Sequence, residues 1–168
     1  MNLLYLLSVW IHILAAMVWI GGMLFLVLVV VPWLRSGQRT QAAVFFRETG
    51  PRFRNVGWTC FAVLVITGSF NLWVRGVRWA NFVEPQWLTS SFGKTVLAKL
   101  GVFVVVLLVS ALHDFVVGPR ATRAIATDPR SVAAQRERRR ASLLGRMNVV
   151  FALVLVALGV MLVRGVPW

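Results

Sequence analysis

Four apolar blocks divide the chain, over roughly residues 3–34, 56–74, 95–117 and 143–163. A helix rises ~1.5 Å per residue and a bilayer core is ~30 Å thick, so about 20 apolar residues cross it. Each block is long enough. Backbone polar groups inside lipid need internal partners, which makes the blocks helices rather than isolated strands. Short connections favour antiparallel neighbours. The pattern therefore predicts an all-α fold, an integral membrane four-helix antiparallel bundle, forming one transmembrane domain over residues 1–168. The loops are expected at 35–55 and 118–142.

The polar segments between the blocks set an orientation. The first connection carries Arg35, Arg39, Arg47, Arg52 and Arg54. The third carries Arg120, Arg123, Arg130, Arg136, Arg138, Arg139 and Arg140, with Arg146 at the next helix start. The opposite side has Arg75, Arg78, Lys94 and Arg164. Lys and Arg accumulate on the cytoplasmic side, so both termini are expected outside (N-out/C-out). Trp33 and Trp58 then fall at the inner boundary, and Trp73, Trp79, Trp87 and Trp168 at or beyond the outer one, as belt residues. In the first connection, Gly50-Pro51 is expected to end a short interfacial helix. Ser90 or Ser91 is expected to cap the third helix, and Asp128-Pro129 to start the fourth.

Composition sharpens this picture. The chain is 59% hydrophobic, above the roughly half of a soluble domain, and the excess lies in long blocks. That excludes a soluble two-domain protein. The formal charge is +13. Membrane topology and anionic lipid at the arginine-rich loops account for it, and no nucleic-acid partner is expected. Cys60 is the only cysteine, so no internal disulfide and no thiolate cluster forms. The N-terminus lacks the basic region and cleavage site of a signal peptide, so the first block is expected to stay as a membrane helix. No nucleophile–base pair, carboxylate dyad or phosphate loop supports hydrolase or transferase chemistry.

Ionisable groups inside the blocks carry the functional signal, because at that depth they are costly. His12 lies ~13 Å of helix rise from the outer end of the first span, and Lys99 ~9 Å below the start of the third. They share an outer layer with Met161, and Thr67, Ser69 and Asn71 lie close by. Lys99 and His113 are fourteen residues apart, so they project within ~40° of one another, ~21 Å apart along the axis. His113 shares an inner layer with Cys60, Arg146, Met147 and Asn148. That separation excludes His12 and His113 as axial ligands of one haem, since both nitrogens must lie within ~4 Å of each other. Each group has a plainer reading. His12 would be a hydrogen-bonded bundle histidine. Lys99 would snorkel to the interface. His113 and Asp114 would mark a helix end. The methionines would fill gaps in the core.

Three stretches resemble the CopD family, bacterial membrane proteins linked to copper resistance. They are WIHILAAMVWIGGMLF in the first block, LAKLGVFVVVLLVSALHDFVVGPR in the third, and RRRASLLGRMNVVFALVLVALGVMLVRG into the fourth. The likeness covers nearly the whole chain. A more distant resemblance is to HemJ, the membrane protoporphyrinogen oxidase, which also has a first-helix histidine and a lysine in an A-K-L context. That resemblance implies haem b at His12 and Lys99. Gly145-Arg146-Met147-Asn148 stands where HemJ has an Asn-Glu-x-Pro-like stretch.

Three readings follow. The first is a copper-homeostasis protein or copper ion permease. Copper(I) takes sulfur and imidazole donors. His12, Met161 and Met23 would form an outer site, and Cys60, His113 and Met147 an inner one. A four-helix monomer would scarcely enclose a path, which calls for a homo-oligomer or a periplasmic partner. The second is a b-haem redox protein, with His12 and Lys99 at the iron and Arg75 or Arg78 holding propionates. The third is a structural subunit without a ligand. Copper ion against haem b stays open at this point, and the family resemblance favours copper.

Overall fold

The computed structural model describes residues 3–35, 39–128 and 130–165. Among these there is no strand. α1 spans Leu3–Phe25 and continues through a π-helical turn, Leu26–Val30, into α2, Val31–Arg35. α3 spans Arg39–Val74. A 3₁₀ turn (Trp79–Val83) and the short α4 (Pro85–Thr89) lead to α5, Ser91–Ala111. A second π-helical segment, Leu112–Val117, joins α5 to α6, Gly118–Thr127, and α7 spans Val132–Arg164.

Four stretches are long and apolar enough to cross a membrane: Leu3–Trp33, Val44–Val74, Ser91–Thr127 and Val132–Arg164. They alternate in direction. Tyr5, Arg75 and Leu162 therefore meet at one end, the terminal end, where the first and last described helices begin and finish. Trp58 and Asp114 meet towards the other, arginine-rich end. The exterior is apolar: Leu3, Trp10, Leu28, Leu108 and Val163 are each more than 60% exposed. Buried Ser8, Thr67, Ser110 and Asn148 lie inside. Such apolar surface suits lipid and would aggregate in water.

The helices overrun the apolar blocks at the arginine end. α3 does not stop at Gly50-Pro51; Pro51 sits inside it. Proline removes the helical hydrogen bond to the Arg47 carbonyl, and just before it the Thr49 hydroxyl donates to the Phe45 carbonyl at 2.7 Å. The expected loop at 118–142 is largely helical as well. α6 packs on α7, burying Ala121 and Ala134. Asp128 ends α6, and Ser131 caps α7 by accepting from the Ala134 amide at 3.1 Å. Pro129, the expected first residue of that helix, lies outside the described residues, as does Trp168. Ser90 caps α5 as expected, accepting from the Gly93 amide at 3.0 Å.

α1 packs chiefly on α3, and α5 on α7. Both pairs follow seven-residue repeats, the spacing that keeps one seam facing a partner. Along α5 and its π-helical continuation the repeat runs Lys99, Val106 and His113; on α7 Ala152 and Gly159 face it. Val106 and Ala152 are fully buried in one cluster with Ala15, Trp19, Met23, Cys60, Phe61 and Leu64. Small residues let large ones enter. Gly57 takes the Trp19 indole and Gly22 takes the Phe53 ring, as small residues do in membrane bundles. Within the same seam Asn148 Nδ2 donates to Ser110 Oγ at 2.9 Å. Ser110→Ala should leave the buried Asn148 amide without that acceptor, at a cost of about 0.6–2 kcal/mol, read as a lower thermal midpoint in detergent.

Candidate functional site

Sequence places His12 midway along α1, and the α1/α3 seam decides what surrounds it. Gly68 makes room: a methyl added there would lie 3.3 Å from His12 Cε1. One residue earlier, Thr67 meets the ring. His12 Nδ1 and Thr67 Oγ1 are 2.7 Å apart. The Thr67 hydroxyl has a single proton, and that proton goes to the Val63 carbonyl at 2.7 Å. Thr67 must then accept from His12, so Nδ1 carries the proton and donates. Nε2 keeps its lone pair and makes no hydrogen bond among the described residues. A neutral imidazole with one nitrogen held and the other open is the form that ligates a metal.

Lys99 arrives from α5. Its Nζ rests beside Gly159 of α7, 3.4 Å from where a methyl would sit. It lies within electrostatic reach of both His12 and Arg75. Arg75 ties three helices together: Nε donates to Tyr5 Oη at 3.2 Å and Nη1 to the Leu162 carbonyl at 3.1 Å. Arg78 is occupied elsewhere. Its guanidinium donates to the Trp73 carbonyl at 2.6 Å and lies over the Trp73 ring, closing the end of α3. Met161 lines a groove of about 200 Å³ between α5 and α7 at the terminal end.

Met23 is not part of this layer. It lies eleven residues beyond His12, ~16 Å of helix rise, and is buried in the cluster with Cys60. The soft donors thus separate by depth, with Met161 towards the terminal end and Met23 in the cluster with Cys60.

Towards the arginine end, His113 and Asp114 lie in the π-helical segment, a local geometry that often accompanies functional residues. Trp58 Nε1 donates to Asp114 Oδ2 at 3.0 Å, so this indole serves the interior as well as the boundary. Arg54 lies over the Phe115 ring. His113 Nδ1 and Asn148 Oδ1 are both buried without a hydrogen-bond partner. Met147 is exposed. Among the described residues no three or more His, Cys, Asp or Glu side chains are grouped to hold a metal ion.

The roles of Thr67, Gly68 and Gly159 were not legible beforehand. The available signal was spacing. Thr67 and Gly68 occupy the terminal end of the α3 seam, and Gly159 stands seven residues from Ala152.

Four apolar helices around buried polar layers define a multi-pass membrane protein. The comparison with known families places it further. The model for Copper resistance protein D matches residues 47–163, most of the chain, and the protein belongs to this family. The matched region includes Cys60, Lys99, His113, Met147 and Met161; α1 and His12 precede it. The chain is also similar to a protein of Aquifex aeolicus (strain VF5) described as "Uncharacterized protein", 32% identical over 155 residues and covering 92% of each chain. No solved structure matches. The more distant likeness to HemJ is not borne out by these comparisons.

Proposed function

We propose that the protein binds copper(I) in transit across a bacterial inner membrane as part of copper homeostasis, with both termini outside. The hydrogen bond from His12 to Thr67 carries this reading, because it leaves Nε2 open as a donor inside a membrane span. Family membership supports copper as the cargo. Copper(I) takes imidazole and sulfur donors. His12 and Met161 supply these towards the terminal end, Met23 and Cys60 in the core, and His113 towards the arginine end. Few donors at each depth suit an ion that must leave again. A four-helix monomer would scarcely enclose a path, so transport calls for an oligomer.

Thr67→Val tests the tautomer argument. It removes the acceptor at nearly constant volume, and copper(I) affinity should fall about 10–100-fold. Thr67→Ser should restore it. A competition titration with a chromophoric copper(I) chelator reads both.

Lys99 beside His12 favours a second reading, haem b, since a cation repels copper and would instead suit an acidic cofactor. The oxidised and reduced absorption spectra of the purified protein separate the two. A Soret band with sharp reduced α and β bands would replace copper by haem. Lys99→Met should weaken a haem site but leave copper(I) binding unchanged or tighter.

A further inference from the structure

Among the described residues the terminal end of the bundle holds several cations and one acid, Glu84. Lys99 lies within a membrane span and makes no hydrogen bond or ion pair among the described residues. Arg75 lies within its electrostatic reach, and its guanidinium retains donors beyond those given to Tyr5 and Leu162. The chain has five acids. Glu84 accepts from Asn81 in the turn before α4. Asp114 takes the Trp58 indole, and Glu48, Asp128 and Glu137 belong to the arginine end. None faces Lys99. An ammonium in a span without a counter-charge is costly, and it calls for an anion from outside the chain.

A place for one lies next to it. The groove of about 200 Å³ is lined by Ser91, Phe92, Thr95, Met161, Leu162 and Gly165. Thr95 stands one turn from Lys99 on the same face of α5, on the side towards which helical side chains lean. Leu162 stands one turn from Gly159, against which the Lys99 Nζ rests, and its carbonyl receives Arg75. The walls are chiefly apolar, from Phe92, Met161 and Leu162; Lys99 and Arg75 are not among them but reach their neighbours, Gly159 and the Leu162 carbonyl.

We propose that this groove takes a carboxylate-bearing ligand, with its charge met by Lys99 and Arg75 and its apolar part lying along Phe92, Met161 and Leu162. The anion has two sources: an aliphatic acid from the outer leaflet, or a small carboxylate from the aqueous side. The site does not include the copper ligand His12, although it shares Met161 with the proposed copper donors and an anion beside Lys99 would ease the repulsion that copper(I) meets there.

The test uses the full chain purified in an uncharged detergent, with thermal unfolding followed in sodium decanoate, sodium acetate and decanol. A bound ligand stabilises the folded state, and at saturation the midpoint should rise by roughly 5 °C or more. A rise with decanoate alone identifies a membrane-derived acid, and a rise with acetate as well identifies a soluble one. Lys99→Met should raise the ligand-free midpoint, since an unpaired, half-buried cation within a span is removed, and abolish the response. Lys99→Gln should abolish the response too, and Arg75→Gln should weaken it. His12→Ala should retain the response while losing copper, so failure of the copper reading would not be confused with failure of this one. The proposal is overturned if neither anion shifts the midpoint, if decanol acts as strongly as decanoate, or if the Lys99 variants respond like the parent.

Discussion

Replacing His12 by alanine is expected to remove copper(I) binding, lowering affinity by more than about 100-fold, with the protein still inserted in the membrane. The loss should exceed that of Thr67→Val, because the alanine variant removes the donor atom itself. Folding should survive. The imidazole occupies a space opened by Gly68, and the seam is otherwise held by Ser8, Ala15, Trp19 and Met23. The hydroxyl left behind still donates to the Val63 carbonyl, so no buried group loses its only partner. Competition titration measures the affinity, and membrane fractionation with size-exclusion elution measures insertion and folding. Full copper content in a folded His12→Ala protein would rule out the histidine as ligand. A small rise in stability together with lost copper would be a stronger result in favour, since sites kept for function often cost stability.

Gly93→Ala is expected to be the most damaging small substitution for stability, lowering it by about 1–3 kcal/mol or more. A methyl at Gly93 would collide with the backbone carbonyl oxygen of Trp87 and crowd Ser90 Oγ. Neither can yield cheaply. The Trp87 carbonyl already accepts from the Ser90 amide at 3.2 Å and the Ser90 hydroxyl at 2.6 Å, and Ser90 Oγ caps the Gly93 amide. Relief would mean lifting α4 from the start of α5. Gly101→Ala is the control on the same helix. Nothing lies within 4 Å of a methyl there, and alanine is favoured over glycine in a helix by about 1 kcal/mol. Thermal midpoints in one detergent should therefore fall for Gly93→Ala and hold or rise for Gly101→Ala. Equal effects at the two positions would show that the α4–α5 corner is not the rigid joint described here.

Much of the architecture is set by the order of residues alone. Four blocks of about twenty apolar residues leave helices as the only way to satisfy the backbone in lipid, and short connections make them antiparallel. The approximate depth of each polar residue follows from a rise of ~1.5 Å per residue, which sets Lys99 and Met161 towards the terminal end and His113 towards the other, while Cys60 packs in the central cluster between them. Helix ends were less legible. Gly50-Pro51 reads as a break, yet α3 passes through it, at the loss of one backbone hydrogen bond. Depth also cannot say which side chains touch. Met23 shares a helix face with His12 and still lies ~16 Å from it along the axis.

What only the tertiary structure decided is the pairing across the seams. Seven-residue spacing is present in the sequence on α5 and α7, but the register that sets Lys99 against Gly159, and Ser110 against Asn148, arises when the two surfaces interlock. The same holds for His12. Its place in a span could be counted from the N-terminus. Its usable chemistry could not, because the proton on Nδ1 is held by a threonine 55 residues away on another helix. Composition and periodicity act along the chain and determine that this protein crosses a membrane. Ligand chemistry depends on contacts between chain segments distant in sequence, and those exist only once the helices have packed.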